Sequence, residues 1–70
     1  MNIYMIEEHI ISIAMISPKL AYTMASALKN YKEARRVCAF AKPHQKAEFS
    51  ILEENAGKRL TELINGENLV

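Results

Sequence analysis

The sequence predicts one all-helical domain, organised as a three-helix unit that occupies residues 1–70. All eight acidic residues are Glu, which favours helix interiors, whereas Asp prefers caps and turns. Two Gly and two Pro leave few sites for turns, which argues against a sheet of many short strands. Apolar residues also recur at helical spacing in each segment between the prolines. The predicted helices cover about residues 3–16, 18–41 and 43–65.

The first segment carries isoleucines at spacings of three, four and three, namely Ile3, Ile6, Ile10 and Ile13. This spacing favours a helix, although the run from His9 to Ile13 is also rich in residues typical of strands. Further apolar residues make the segment hydrophobic on nearly all sides. A helix of this kind is expected to be buried and covered on more than one side.

The second segment has the clearest periodicity. Ser17 and Pro18 suit an N-cap followed by proline at the first helical position. Seven positions then alternate spacings of four and three, which is typical of a coiled-coil seam. The partner of this seam is either the third helix or the same helix of a second subunit. The seam consists of Leu20, Met24, Ala27, Tyr31, Ala34, Cys38 and Ala41.

The third segment follows the break at Lys42-Pro43, because the residue before proline is disfavoured in a helix. Gly66, after Asn65, is a plausible helix stop. Gly57 lies inside the segment and indicates either a close helix crossing or a mildly suboptimal residue. One face of the predicted helix is apolar and carries Phe49, Leu52, Ala56, Leu60 and Leu63.

Self-association is the expected source of additional stability. A chain this short buries only about 60% of the surface that it exposes when unfolded. Its single cysteine, Cys38, excludes an internal disulfide, and no cluster of ligands for a structural metal is present. We therefore expect a helical-bundle homodimer, formed through the seam, the first helix or both.

Charge is distributed unevenly along the chain despite a net charge of +1. Residues 19–46 carry seven Lys and Arg against one Glu, a net charge of +6, whereas both flanking segments are acidic. On a helix, three of these seven cations, Lys29, Lys32 and Arg36, fall opposite the seam together with two aromatic residues. This basic–aromatic strip is predicted to bind a partner, although a merely solvated face is the simpler explanation, and the aromatics could instead pack under the first helix. The strip consists of Tyr22, Lys29, Lys32, Arg35, Arg36 and Phe40.

Catalytic chemistry is not indicated. The sequence lacks a phosphate-binding glycine loop, a nucleophile elbow and a paired-histidine metal motif. Cys38 lies in the apolar seam and is expected to be a buried, inert thiol. His9 is more typical of a core or interface position, and His44 with Glu48 would supply only two metal ligands. We expect no enzymatic activity, no cofactor and no metal.

The predicted function is that of a small regulator, inhibitor or adaptor that binds another protein through helical surfaces. The first helix and the basic–aromatic strip are the candidate docking surfaces. The alternative is a nucleic-acid-binding regulator that uses Lys29, Lys32, Arg35 and Arg36 to contact phosphates. A standard helix-turn-helix would require a break in the middle of the seam, which the sequence does not favour. A membrane partner is not expected, because the first helix carries Glu7 and Glu8 instead of a basic face. We expect a cytoplasmic protein.

Overall fold

The computed structural model describes residues 2–68, with side chains described through residue 66. Three helices follow one another along the chain: α1 (Ile3–Ala14), α2 (Pro18–Phe40) and α3 (Lys46–Asn68). The predicted all-α, three-helix unit is confirmed. None of the described helices is both long and apolar enough to cross a membrane.

Local sequence explains where the first two helices begin. Asn2 caps α1, since its side-chain oxygen accepts a hydrogen bond of 3.2 Å from the amide of Met5. Ser17 caps α2 in the same way, with its Oγ 3.4 Å from the amide nitrogen of Leu20. Pro18 occupies the first turn of α2, as the sequence predicts.

The helix ends differ from the prediction by a few residues. α1 ends at Ala14, and α3 begins at Lys46 after a turn that contains Pro43. The predicted stop at Gly66 is wrong, because α3 continues through this residue to Asn68. Gly66 does not adopt the left-handed conformation that a glycine helix stop requires. Leu63 and Ile64 pack on the core immediately before it and hold the last turns in helical conformation.

The helices pack antiparallel in sequence order. Lys32 of α2 pairs with Glu7 of α1, while Ile13 near the end of α1 packs against Ala21 near the start of α2. The seam places α2 against α3: Tyr31 lies beside Gly57, and Ala27 shares a cluster with Leu60. Gly57 therefore marks a close crossing of α2 and α3.

The core lies at the end of the α2–α3 hairpin that α1 covers. Twelve residues make α1 about 18 Å long, whereas the 23 residues of α2 extend about 34 Å. None of the residues between 29 and 59 is fully buried, so the far half of the hairpin is a two-helix structure. The molecule is accordingly elongated, with extents of 44 × 19 × 18 Å. The core consists of Ile6, Ile13, Ala21, Met24, Ala27, Leu28 and Leu60.

In the single chain α1 is covered on one side, so the expected cover on more than one side would require a second subunit. The predicted isoleucine stripe does face inward, with Ile6 and Ile13 buried. The opposite side of α1 is uncovered, because only α2 and α3 are available to pack against it. Large apolar side chains are therefore exposed on α1 and on the turn after it: Tyr4, Met5, Ile11, Met15 and Ile16.

Candidate docking surface

Two rows of exposed residues lie on the uncovered sides of α1 and α2, side by side except at Phe40, which lies beyond the end of α1. The α1 row has spacings of four, three and four, so its members share one side of the helix. The α2 row has spacings of seven, seven and four and likewise occupies one side. We call these rows and the groove between them the α1–α2 face. The α1 row is Tyr4, Glu8, Ile11 and Met15, and the α2 row is Tyr22, Lys29, Arg36 and Phe40.

Large apolar side chains dominate this face. Met15 is 87% exposed and Ile11 67% exposed on the α1 side, while Tyr22 is 76% and Phe40 83% exposed on the α2 side. The two aromatic residues therefore do not pack under the first helix. Large apolar side chains exposed on one face are typical of binding sites.

A groove of about 400 Å³ separates the two rows. Its lining is mainly apolar, and the lysines and Glu7 stand at its edges. Because Ile11 and Lys29 line the groove from opposite helices, both rows border it directly. The lining residues are Glu7, Ile10, Ile11, Ala25, Leu28, Lys29 and Lys32.

Two of the cations on α2 are held by carboxylates. The Lys32 ammonium donates to Glu7 Oε1 at 2.5 Å, which links α2 to α1 across the groove. The Arg36 guanidinium donates to both carboxylate oxygens of Glu33, one turn earlier in α2. Lys29 and Glu8 form no salt bridge within the part of the chain that the structure describes, and both are exposed.

The Glu33–Arg36 pair shifts the ionisation of both groups. Arg36 lowers the pKa of Glu33 below its ordinary value, through its hydrogen bond first and its charge second. Lys29 lowers the pKa of Glu33 further. Glu33 in turn raises the pKa of Arg36. Arg36 therefore stands on the α1–α2 face as a cation that is paired with Glu33.

Arg35 lies at the inner edge of the strip. Its guanidinium is 5.7 Å from the centroid of the Tyr31 ring and 3.8 Å from Glu53 Oε1 on α3. With Lys32 and Arg36, it surrounds a hollow of about 270 Å³ beside Ile3. The structure thus brings Lys32, Arg35 and Arg36 together, but it engages each of them with a carboxylate of the same chain.

The predicted self-association seam has a partner inside the chain. All seven seam residues are buried or half-buried. Cys38 Sγ lies 3.6 Å from Ser50 Oγ of α3, so the thiol also faces the third helix. Cys38 is half-buried rather than buried as predicted, because α1 does not reach this end of the hairpin. The predicted partners of the seam are the third helix and the same helix of a second subunit. Within the single chain, the third helix packs on it.

A second groove lies between α2 and α3, away from α1. It measures about 280 Å³ and combines apolar with polar side chains. It is smaller than the groove of the α1–α2 face. Its lining residues are Asn30, Glu33, Ala34, Val37, Phe49 and Leu52.

The sequence predicts the first helix as a docking surface but does not specify which of its residues form that surface. Its apolar residues also support the expectation of a buried helix. The sequence therefore does not tell which of them are exposed. The signal that identifies the α1 row is the spacing of Tyr4, Glu8, Ile11 and Met15 opposite the inward isoleucines.

The described residues contain no group of three or more His, Cys, Asp or Glu side chains that could hold a metal ion. His9 is half-buried on α1 and lines a small cavity with Ile6 and Ile64. His44 is exposed in the turn before α3.

Comparisons with family models, with curated proteins and with solved structures found no match to this chain. The chemistry of the α1–α2 face is therefore the basis for a functional proposal.

Proposed function

We propose that this chain is a small, non-enzymatic regulator, inhibitor or adaptor that binds another protein through the α1–α2 face. The observation that carries the proposal is an apolar groove bordered by exposed aromatic and aliphatic residues and by cations. Tyr and Arg are enriched at the centres of protein interfaces, and Tyr22 and Arg36 both stand on this face. We place the protein in the cytoplasm, where the thiol of Cys38 stays reduced.

The chemistry of the face specifies the kind of partner. A groove between two helices accepts the apolar side of an amphipathic helix. Lys29 is exposed and has no carboxylate partner among the described side chains, so it is available to a partner's Glu or Asp. We therefore propose an amphipathic helix that directs apolar residues into the groove and carboxylates toward Lys29.

Nucleic acid is the second candidate partner. The hollow surrounded by Lys32, Arg35 and Arg36 favours it, because clustered cations attract phosphates. The carboxylates that already hold these cations weigh against it, since a phosphate would have to displace them. Glu7 and Glu8 would also repel a phosphate backbone on the α1 side of the face.

Fluorescence anisotropy with labelled probes tests the proposal. The probes are an acidic amphipathic helical peptide, a short duplex DNA and a single-stranded RNA. We expect the peptide to bind, and we expect both Ile11→Glu and Lys29→Glu to weaken its binding by about tenfold or more, because they remove an apolar contact and a charge contact. Lys58→Glu on the exposed side of α3 is the matched control and should leave binding unchanged.

Binding of nucleic acid but not of the peptide would overturn the proposal. In that case the affinity should fall steeply with salt concentration and should be insensitive to uncharged substitutions of Ile11, because phosphate contacts would dominate. Ile11 is exposed, so its variants are expected to keep the helical circular dichroism spectrum of the parent protein.

A further inference from the structure

The register between α1 and α2 determines which exposed residues lie at the same level along the molecule. Glu7 is level with Lys32, and Ile13 shares a cluster with Met24. In two antiparallel helices, residues at the same height along the helix axes have residue numbers that add up to a constant. For the two pairs named above this sum is about 38. Glu8 is therefore level with Lys29, and Met15 with Tyr22.

We propose that a second copy of this chain is a ligand of the α1–α2 face when no other partner occupies it, an inference that rests on the proposed docking role of this face. The α1 row has the properties required of that ligand, because it is an apolar helix side with one carboxylate, Glu8, in its centre. A two-fold axis parallel to the helices places α1 of each copy along α2 of the other. Rotation about this axis does not shift a residue along the helices. Residues at the same height in the single chain therefore stay at the same height across the dimer.

The resulting contacts are complementary in charge and in chemistry. Glu8 of each copy meets Lys29 of the other, and both are exposed without a salt bridge in the described single chain. Met15 meets Tyr22, and methionine sulfur packs favourably on aromatic rings. Ile11 enters the apolar groove beside Ala25. The same operation generates each contact twice, as a closed two-fold dimer requires.

The dimer also covers the side of α1 that the fold leaves open. Ile11 and Met15 are exposed in the single chain, and in the dimer they lie against α2 of the other copy. The seam is not needed for this assembly, since α3 already packs on it. The predicted homodimer is thus assigned to the outer surface of α2, the side opposite the seam.

Sedimentation equilibrium of the full chain over a wide concentration range tests this assembly. We expect a concentration-dependent dimer that Glu8→Lys and Lys29→Glu each weaken by about tenfold in Kd, because each turns two attractive contacts into two repulsive ones. An equimolar mixture of the two variants should dimerise more tightly than either alone, since opposite charges then face each other at both contacts of the mixed dimer. Lys58→Glu is the control and should leave the Kd unchanged.

A protein that stays monomeric at every concentration overturns the proposal, as does a dimer that neither charge reversal weakens. The peptide titration separates this failure from that of the proposed function. A monomeric chain that still binds the acidic peptide would overturn only the dimer, whereas loss of both would overturn the docking role of the face.

Discussion

At the scale of single residues, the contact between Gly57 and Tyr31 shows how one glycine sets the approach of two helices. A methyl group added at Gly57 would lie 3.0 Å from Tyr31 Cε1, closer than side chains normally pack. Glycine inside a helix costs about 1 kcal/mol relative to alanine. This residue of low helix propensity lies where α2 and α3 cross. Because Tyr31 is half-buried, its ring has some room to shift.

Gly57→Ala should therefore stabilise the protein by less than about 1 kcal/mol, because the gain in helix propensity is offset by displacement of the Tyr31 ring. In a Tyr31→Ala background, the same change should give the full gain. Urea denaturation of the four proteins measures the difference. An equal gain in both backgrounds would show that the ring does not oppose the added methyl group.

The Glu33–Arg36 pair makes a prediction about pH. Arg36 holds the pKa of the Glu33 carboxyl below its ordinary value, so the pair stabilises the folded chain above the unfolded pKa. This contribution is lost as the pH falls through the lower, folded pKa. Carbon-detected NMR titration should show the low pKa, and Arg36→Gln should return it toward the ordinary value. An unchanged Glu33 pKa in that variant would contradict the assigned cause.

At the scale of elements, the boundary between α1 and α2 depends on Ser17. Its Oγ accepts from the Leu20 amide, and Pro18 follows at the first helical turn. Ser17→Ala should lower the free energy of unfolding by about 1 kcal/mol, because a backbone amide loses its partner. Ser17→Asp keeps an acceptor and should retain most of the stability in thermal denaturation. Equal losses in the two variants would contradict the capping role.

The sequence predicts those features that follow from periodicity and local capping. The seam faces inward as expected, and the Ser17-Pro18 start of α2 is confirmed. The end of α3 could not be predicted from Gly66, because tertiary contacts of Leu63 and Ile64 override the local preference of glycine.

The candidate site could be predicted in part. Helical register places Tyr22, Lys29 and Arg36 on one exposed side, as the structure has them. The first helix is a predicted docking surface, but its exposed residues could not be predicted, because Ile11 and Met15 have the same hydrophobicity whether a neighbour covers them or not. The partnership of Arg35 with Glu53 depends on the relative position of α2 and α3, which the sequence of one helix does not specify.

At the scale of the whole molecule, stability is concentrated at one end. Residues 21–28 of α2 include four buried side chains, whereas residues 37–52 contain none. Local opening requires less free energy where few apolar contacts are broken. The far end of the α2–α3 hairpin is therefore the less stable part.

Hydrogen exchange measured by NMR should reflect this gradient. We expect the amides of residues 21–28 to exchange most slowly, and we expect those of residues 37–52 to exchange at least tenfold faster, which corresponds to about 1.4 kcal/mol. Equal protection along the whole of α2 would show that the hairpin unfolds as one cooperative unit.

Docking through the α1–α2 face is best tested by a map of amide chemical shifts. The map is recorded as the acidic amphipathic peptide is added to the protein at a concentration where the chain is monomeric. We expect the shifts to concentrate at Ile11, Met15, Tyr22 and Lys29 and to leave the outer side of α3 around Lys58 unchanged. Shifts centred on α3 or on the α2–α3 groove would show that the peptide docks elsewhere and would contradict the role assigned to this face.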